Sequence, residues 1–206
     1  MPHRRGKSHN LRNALIAIVI LIVIVSMIIV AYQINGGKPS SSSGGTKVLL
    51  VTSMGNITIE LYEDMPITAG NFKNLTEHGI YDGTIFHRVV RNFVIQGGDA
   101  TSKGITVPPI PDELPSKHSN VRGSVAMAKT SQPNSATSQF FINLNDTNAA
   151  TLDSNPGYSV FGKVIAGMVN VVDAIGRVPI VPTDPQNPND GKPVQDVLLI
   201  RAEIIA

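Results

Sequence analysis

The sequence predicts a mostly-β domain, and two observations lead to this fold class. Short apolar runs rich in Val and Ile recur after residue 47, and turns that contain Gly, Asn and Pro separate them. Apolar residues follow a helical period in only two short stretches of this part of the chain, residues 66–78 and 168–175. Many short strands with two short helices are typical of a closed antiparallel barrel that has a helix at each end.

The elements can be placed in order along the chain. The hairpin at 48–62 contains a glycine in its turn, and the helix at 66–78 begins with Pro66 and is followed by Gly79, which suits a C-terminal cap. Two strands flank the turn Arg91-Asn92. Further strands are expected at 123–128, 139–143, 159–164 and 197–204, with loops at 101–120, 131–137, 145–157 and 181–193.

The first 46 residues differ in composition from the remainder. No Asp or Glu occurs before Glu60, whereas five of the 17 Lys and Arg residues lie within the first 46 residues. The part after residue 46 therefore has 12 cations (17 − 5) against 15 Asp and Glu. The net charge of +2 comes from the N-terminal segment, so it does not indicate nucleic-acid binding. Because the chain has no Cys, disulfides and thiolate metal sites are excluded.

Residues 14–32 are an apolar run that only Ser26 interrupts, and as a helix they would be roughly 28 Å long, close to the hydrocarbon thickness of a bilayer. They predict a transmembrane helix between a basic tail at 1–13 and a Gly/Ser-rich linker at 33–46. The four cations of the tail place the N-terminus in the cytoplasm and the domain at 47–206 outside it. A cleaved signal peptide is the alternative, although its apolar core would be shorter, about 7–15 residues.

Residues 86–99 carry the strongest indication of a functional site. Alternation along a strand places Arg88 and Val90 on one face, and it places Val94 and Gln96 together on one face of the next strand. A guanidinium, an aromatic ring and an amide within largely apolar β-structure are typical of a ligand pocket.

Three blocks of the sequence resemble the cyclophilin peptidyl-prolyl isomerases. They are Phe86-His87-Arg88 with Phe93 and Gln96-Gly97-Gly98-Asp99, then Met127-Ala128 with residues 134–142, and finally Val160-Phe161-Gly162-Lys163-Val164. The blocks occur in the family's order and cover most of residues 47–206. The resemblance implies an eight-stranded antiparallel barrel capped by two helices. It also implies isomerisation of X-Pro bonds in proline-containing peptides and unfolded proteins, without a metal or other cofactor.

The chemistry of the reaction explains the residue types. Rotation about the peptide bond is slow because the nitrogen lone pair is delocalised, so a donor aimed at the prolyl nitrogen stabilises the twisted state in which that lone pair returns. By resemblance, Arg88 is that donor. The resemblance assigns Gln96 and Phe93 to the same catalytic group, and it assigns to substrate binding His87, Met127, Ala128, Lys129, Gln139, Phe141, Leu152 and Tyr158. Within these groups, the expected walls of the proline pocket are Phe93, Met127, Phe141 and Leu152.

Other interpretations stay open at this point. Without the three blocks, the apolar side chains Phe93, Met127 and Phe141 would be interpreted as core residues. A cyclophilin-like module that binds proline-containing segments without isomerising them is the main alternative function, and a structural component of the cell envelope is a third. Sequons at Asn56, Asn74 and Asn145 leave glycosylation undecided.

One position departs from the family's pattern. Many cyclophilins carry Trp immediately before the leucine that matches Leu152, and that Trp is associated with tight cyclosporin binding. This chain has no Trp, and Thr151 stands there. We therefore expect weak binding of cyclosporin.

Overall fold

The computed structural model describes residues 45–154 and 156–205. The strands are β1 (Lys47–Thr52), β2 (Gly55–Leu61), β3 (Thr84–Ile85), β4 (Arg88–Val90), β5 (Val94–Gly97), β6 (Ser124–Met127), β7 (Phe140–Asn143), β8 (Val160–Ala166), β9 (Ile180–Pro182), β10 (Asp190–Pro193) and β11 (Leu198–Ile205). The α-helices are α1 (Pro66–Glu77), α2 (Ala149–Leu152) and α3 (Asp173–Ile175). A π-helical turn, Met168–Val172, leads into α3, and 3-10 turns occur at Ala100–Lys103 and Asp146–Asn148.

The predicted tail and transmembrane helix, and the linker up to residue 44, lie outside the described residues. A search of the described part for a helix with the length and apolarity to cross a bilayer finds none.

The eleven strands form one antiparallel sheet in the order β3-β11-β1-β2-β8-β6-β7-β5-β4-β10-β9. Only Phe86 and His87 separate β3 from β4 in the chain, yet these strands hold the first and ninth places in the sheet. Two residues span only about 7 Å, so the sheet must curl until its distant parts approach each other. The fold is therefore a curled antiparallel sheet with a few helices.

The prediction of eight strands in a closed barrel is wrong in two respects. The eight expected strands all form, but β3, β9 and β10 add to them. Within the described residues, the terminal strands β3 and β9 do not pair, so hydrogen bonds do not close the sheet. The sequence around β9 and β10 is rich in Pro, Asn and Asp, which predicted a loop, but β10 gains its partners from the distant strand β4.

Helix α1 begins at the predicted residue, Pro66, and ends at Glu77, one residue before the predicted boundary. Pro66 occupies its first turn, and the chain leaves the helix through Gly79, whose positive φ of 64° is accessible to glycine at little cost. Phe72 projects from α1 into the core, with ring centroids 4.9 Å from Phe161 and 5.2 Å from Phe140. The second predicted helix is the π-helical turn followed by α3.

Alternation along the strands builds the core on the inner face of the curled sheet. In β1 and β2 every second residue is buried, which produces an apolar inner layer. The strands β5, β6 and β7 differ, because consecutive residues are buried and both faces are covered. The large buried side chains of the inner face include Leu50, Ile57, Ile59, Phe72, Phe86, Ile95, Phe140, Ile142 and Phe161.

Candidate active site

A second apolar cluster lies on the outer face of β5, β6 and β7. Its buried members are Val94, Ala126, Phe141, Leu152 and Val160, and Tyr62, Val90, Phe93, Ala128 and Tyr158 pack against them half-buried. The outer face of an antiparallel sheet is ordinarily polar where it meets solvent. An apolar surface at this place, bordered by polar groups, therefore indicates a binding site.

Strand register aligns the polar and apolar parts of this face. Arg88 pairs with Gln96, Gln96 with Phe141, Phe141 with Ala126, and Ala126 with Val160. These five residues form one continuous row across β4, β5, β7, β6 and β8. Two inter-strand spacings separate Arg88 from Phe141, which places their backbones about 9.5 Å apart. One bound residue can therefore contact the guanidinium and the aromatic ring together.

The polar end of the row is a chain of hydrogen bonds. Arg88 Nη1 donates to Gln96 Oε1 at 3.3 Å, and Gln96 Nε2 donates to Gln139 Oε1 at 2.8 Å. On the other side of the guanidinium, Asp190 Oδ1 and Oδ2 accept from Nε at 2.8 Å and from Nη2 at 2.6 Å. The hydrogen bonds with Asp190 raise the pKa of Arg88 above its ordinary value, so the guanidinium is a permanent cation.

Gly97, the last residue of β5, and Gly98 after it permit close packing behind the row. Gly98 has φ of 76°, and a Cβ at this position would lie 2.8 Å from the Phe140 ring and 2.9 Å from Tyr81. A larger residue would therefore meet both backbone strain and the buried rings. Gly98 thus allows the chain to turn away directly after β5, two residues beyond Gln96.

Three of the predicted pocket residues, Phe93, Phe141 and Leu152, lie in the outer cluster. The Tyr158 ring packs edge-on against Phe141, with centroids 5.3 Å apart and planes at 88°. Phe93 lies in the turn before β5, and the alternation of the strand does not apply to it. Its side chain therefore reaches the same cluster as Val94.

Met127 lies with the core and not with the other predicted pocket walls. Its side chain is 1% exposed and belongs to the inner cluster, because it pairs with Phe140 while its neighbour Ala126 pairs with Phe141. Alternation along β6 sends consecutive side chains to opposite faces. The expectation that Met127 lines the proline pocket is therefore wrong for its side chain.

The neighbouring predicted residues have different surroundings. Ala128 borders the outer cluster, and its backbone N–H donates to the Gln139 carbonyl at 2.9 Å. The Lys129 ammonium donates to Asp112 at 2.8 Å, and its side chain is only 7% exposed. Burial lowers the pKa of His87, so its imidazole favours the neutral form.

Two of the residues of this site that were not predicted from the sequence are informative. Val94 is buried in the outer cluster, and its position two residues before Gln96 was a usable signal, because both side chains share one face of β5. Asp190 follows Arg88 by 102 residues and lies in a segment that was predicted to be a loop. No local pattern indicates its contact with the guanidinium.

Comparison with known proteins supports the interpretation of this geometry. Residues 47–204 match the family described as cyclophilin type peptidyl-prolyl cis-trans isomerase/CLD. A peptidyl-prolyl cis-trans isomerase of Acinetobacter baylyi is 44% identical over 164 residues, which cover 77% of this chain and 85% of the relative. Peptidyl-prolyl cis-trans isomerase B of Escherichia coli is 36% identical over 156 residues, covering 72% of this chain and 93% of the relative.

A solved structure gives the same assignment. The crystal structure of a Cryptosporidium parvum cyclophilin type peptidyl-prolyl cis-trans isomerase, in the presence of the dipeptide Ala-Pro, aligns with a TM-score of 0.64 and 30% identity. The alignment covers 78% of this chain and 99% of that structure. The family match over residues 47–204 agrees with the curled antiparallel sheet of the described residues. The chain therefore belongs to the cyclophilin family of peptidyl-prolyl cis-trans isomerases.

Proposed function

We propose that the domain catalyses cis-trans isomerisation of X-Pro peptide bonds in proteins at the outer face of a membrane, with Arg88 as the group that acts on the prolyl nitrogen. The observation that carries the catalytic part is the row from Arg88 to Phe141. It offers an oriented cation and an apolar surface to one bound proline residue.

The cation and the apolar surface have separate tasks in this mechanism. The planar amide faces a rotational barrier of about 18–20 kcal/mol, and the two X-Pro isomers themselves differ little in energy. As the bond twists, the prolyl nitrogen regains its lone pair and can accept a hydrogen bond from the guanidinium. This bond is stronger in the twisted state than in either planar state, which is the condition for catalysis.

The apolar cluster holds the proline ring. Phe93, Phe141 and Leu152 form the walls of the pocket, and Val94 adds a buried aliphatic surface between them. An apolar ring bound here displaces water from the neighbourhood of the guanidinium, and the lower dielectric strengthens the hydrogen bond to the nitrogen. The crystal structure of the Cryptosporidium relative, determined in the presence of the dipeptide Ala-Pro, is consistent with this assignment.

The remaining site residues orient the peptide and the arginine. Gln96 accepts a hydrogen bond from Arg88 and donates one to Gln139, so the two amides continue the polar end of the row. We assign the backbone of Ala128 and Lys129 to strand-like contacts with an extended substrate, and Tyr158 to the rim of the pocket. His87 has a supporting role beside Gln139.

The test of catalysis is an assay of proline-peptide isomerisation by the full-length chain in detergent micelles. We expect acceleration by the wild type and a loss of kcat/KM by orders of magnitude in Arg88→Ala. Arg201→Ala, an exposed arginine on β11, is the matched control. Peptide binding without acceleration in the folded wild type would favour the non-catalytic binding module and contradict the proposal.

The membrane location is supported by the apolar run at 14–32, the four cations before it and the linker at 33–46. A protease added to intact cells or spheroplasts should degrade the domain without permeabilisation. The mass of the purified native protein distinguishes an uncleaved anchor from a removed signal peptide, and it also reports glycosylation. Recovery of the full-length chain in the soluble fraction would contradict the anchor.

Weak cyclosporin binding remains part of the proposal. Thr151 is exposed on α2 beside the pocket wall Leu152, and its small side chain offers neither the flat ring nor the N–H of an indole. Titration of the wild type and of Thr151→Trp with cyclosporin tests this point. We expect tighter binding by the variant, and equal affinity of the two proteins would contradict it.

A further inference from the structure

The strongest feature that the proposed mechanism does not use is the carboxylate of Asp190. It contacts the guanidinium through both oxygens, with Oδ1 2.8 Å from Nε and Oδ2 2.6 Å from Nη2. The Asp190 side chain is 17% exposed, whereas that of Arg88 is 44% exposed. Two parallel hydrogen bonds to a planar guanidinium fix its orientation as well as its position.

The backbone of Asp190 is itself well anchored. Strand β10 pairs with β4 at Asp190↔Val90, and the N–H of Arg91 donates to the Asn189 carbonyl at 2.9 Å. On the other side β10 pairs with β9, and a Cβ at Gly191 would collide with the Val181 carbonyl oxygen. The backbone that carries the carboxylate is thus fixed by pairing with β4 on one side and β9 on the other.

A count of donors shows what this contact leaves for a substrate. A guanidinium has five N–H groups, and three of them donate to Asp190 and Gln96, so two remain (5 − 3), one on Nη1 and one on Nη2. Both remaining groups lie away from the edge that Asp190 occupies. The contact therefore selects the edge of the guanidinium that is available to a bound peptide.

We propose that Asp190 is a positioning residue for Arg88, which holds the guanidinium in the orientation that isomerisation requires. This inference rests on the proposed role of Arg88. Two effects of the carboxylate oppose each other. Its negative charge reduces the positive potential that the guanidinium presents to the prolyl nitrogen, whereas its two hydrogen bonds orient the guanidinium. Catalysis depends on donors that are already aligned before the bond twists, so loss of orientation outweighs the gain in charge.

The experiment compares Asp190→Ala and Asp190→Asn with the wild type in the full-length chain. Asp190→Ala should lower kcat on the order of tenfold, because a mobile guanidinium is rarely aligned. The KM should change little, since the outer cluster remains intact. Asp190→Asn keeps one acceptor oxygen and should recover part of the lost kcat. Asp196→Asn removes a charge from an exposed ion pair with Lys192 and serves as the matched control.

Two further measurements separate positioning from a structural role. In a double-mutant cycle, Asp190→Ala should have almost no effect on kcat in the Arg88→Ala background, because the carboxylate acts through the guanidinium. The NMR signal of the Arg88 Nε–H should exchange slowly with water in the wild type and rapidly in Asp190→Ala, independently of activity.

Each contrary outcome has a definite meaning. Unchanged kcat in Asp190→Ala, an equal loss in the Arg88→Ala background, or a parallel loss of folded protein that accounts for the lower rate would overturn the positioning role. An inactive folded wild type would instead overturn the proposed role of Arg88, and the inference with it.

Discussion

The inner and outer faces of β5, β6 and β7 are both apolar, but their boundaries differ. The inner face packs into the main apolar core, where Phe72 of α1 covers Phe140 and further rings complete the cluster. The outer face ends at a chain of hydrogen bonds that joins Asp190, Arg88, Gln96 and Gln139. An apolar surface with a polar boundary can bind a ligand and act on it, whereas one enclosed by apolar groups can only stabilise the fold. Because side chains alternate along these three short strands, the residues that stabilise the fold and the residues that bind the substrate lie on opposite faces of the sheet.

The largest effect that tests this comparison is expected at Phe140. Its side chain is fully buried on the inner face, 5.2 Å from Phe72 and 5.6 Å from Tyr81 between ring centroids. Phe140→Ala leaves a cavity in this cluster, so we expect the free energy of unfolding to fall by about 3–5 kcal/mol. Urea denaturation followed by circular dichroism measures the change. A loss below about 1 kcal/mol would contradict the enclosed inner face.

Phe141→Ala is the matched change on the outer face, one residue further along β7. Removing the ring takes away apolar contact with the proline, worth about 1.5–3 kcal/mol, so kcat/KM should fall about tenfold to a hundredfold. The loss of stability should be smaller than for Phe140→Ala, because Phe141 belongs to the smaller cluster, in which Phe93 and Tyr158 are only half-buried. Isomerase kinetics and denaturation of the two variants, measured together, show whether activity and stability separate as expected.

The same comparison explains what the sequence could and could not predict. Alternation correctly placed Arg88 with Val90 and Val94 with Gln96, because each pair belongs to a single strand. It could not decide which face of β6 becomes the pocket, so it offered no check on the resemblance, which had placed Met127 among the pocket walls although its side chain lies in the inner cluster. That decision depends on register with β7, which is a long-range property.

Long-range pairing also limited the prediction of the strands. Helix α1 and the first hairpin rest on local signals, and both were predicted correctly. The pairing of β10 with β4 joins segments about 100 residues apart, and the Pro- and Asn-rich sequence before it favours a loop in isolation. The contact between Asp190 and Arg88 follows from that pairing, so it could not be predicted from the local sequence either.

A moderate effect on stability without one on chemistry is expected at Glu113. Its carboxylate accepts from the backbone N–H of Ile67 at 3.2 Å and of Thr68 at 2.9 Å, and so caps the start of α1, which lacks a side-chain cap from Met65. Glu113→Ala should lower the free energy of unfolding by about 1 kcal/mol. Glu113→Gln, which retains an acceptor oxygen, is the control.

Because α1 covers the inner face, the kcat/KM of folded Glu113→Ala should equal that of the wild type. A fall in kcat/KM without a change in stability would mean that the loop around Glu113 acts on the outer face, and the separation of the two faces would fail at this point.

The smallest effect expected is the pH dependence that Asp190 contributes. The hydrogen bonds from Arg88 lower the pKa of this carboxyl in the folded state, whereas the unfolded chain titrates near its ordinary value of about 3.9. The ion pair therefore stabilises the fold fully above pH of about 3.9, and this contribution is lost as the pH falls through the lowered native pKa. Solvent screening keeps the contribution small, because Arg88 is nearly half exposed.

Asp64 and Asp153 also have lowered pKa values, so the acid sensitivity of the wild type alone does not isolate Asp190. The contributions of Asp64 and Asp153 are present in both proteins, so they cancel in the difference in stability between the wild type and Asp190→Asn. It should be constant around neutral pH and shrink toward zero in acid, as urea denaturation at a series of pH values can measure. A difference that grows as the pH falls would mean that the carboxylate is not stabilised by Arg88, and the polar end of the outer face would then need another explanation.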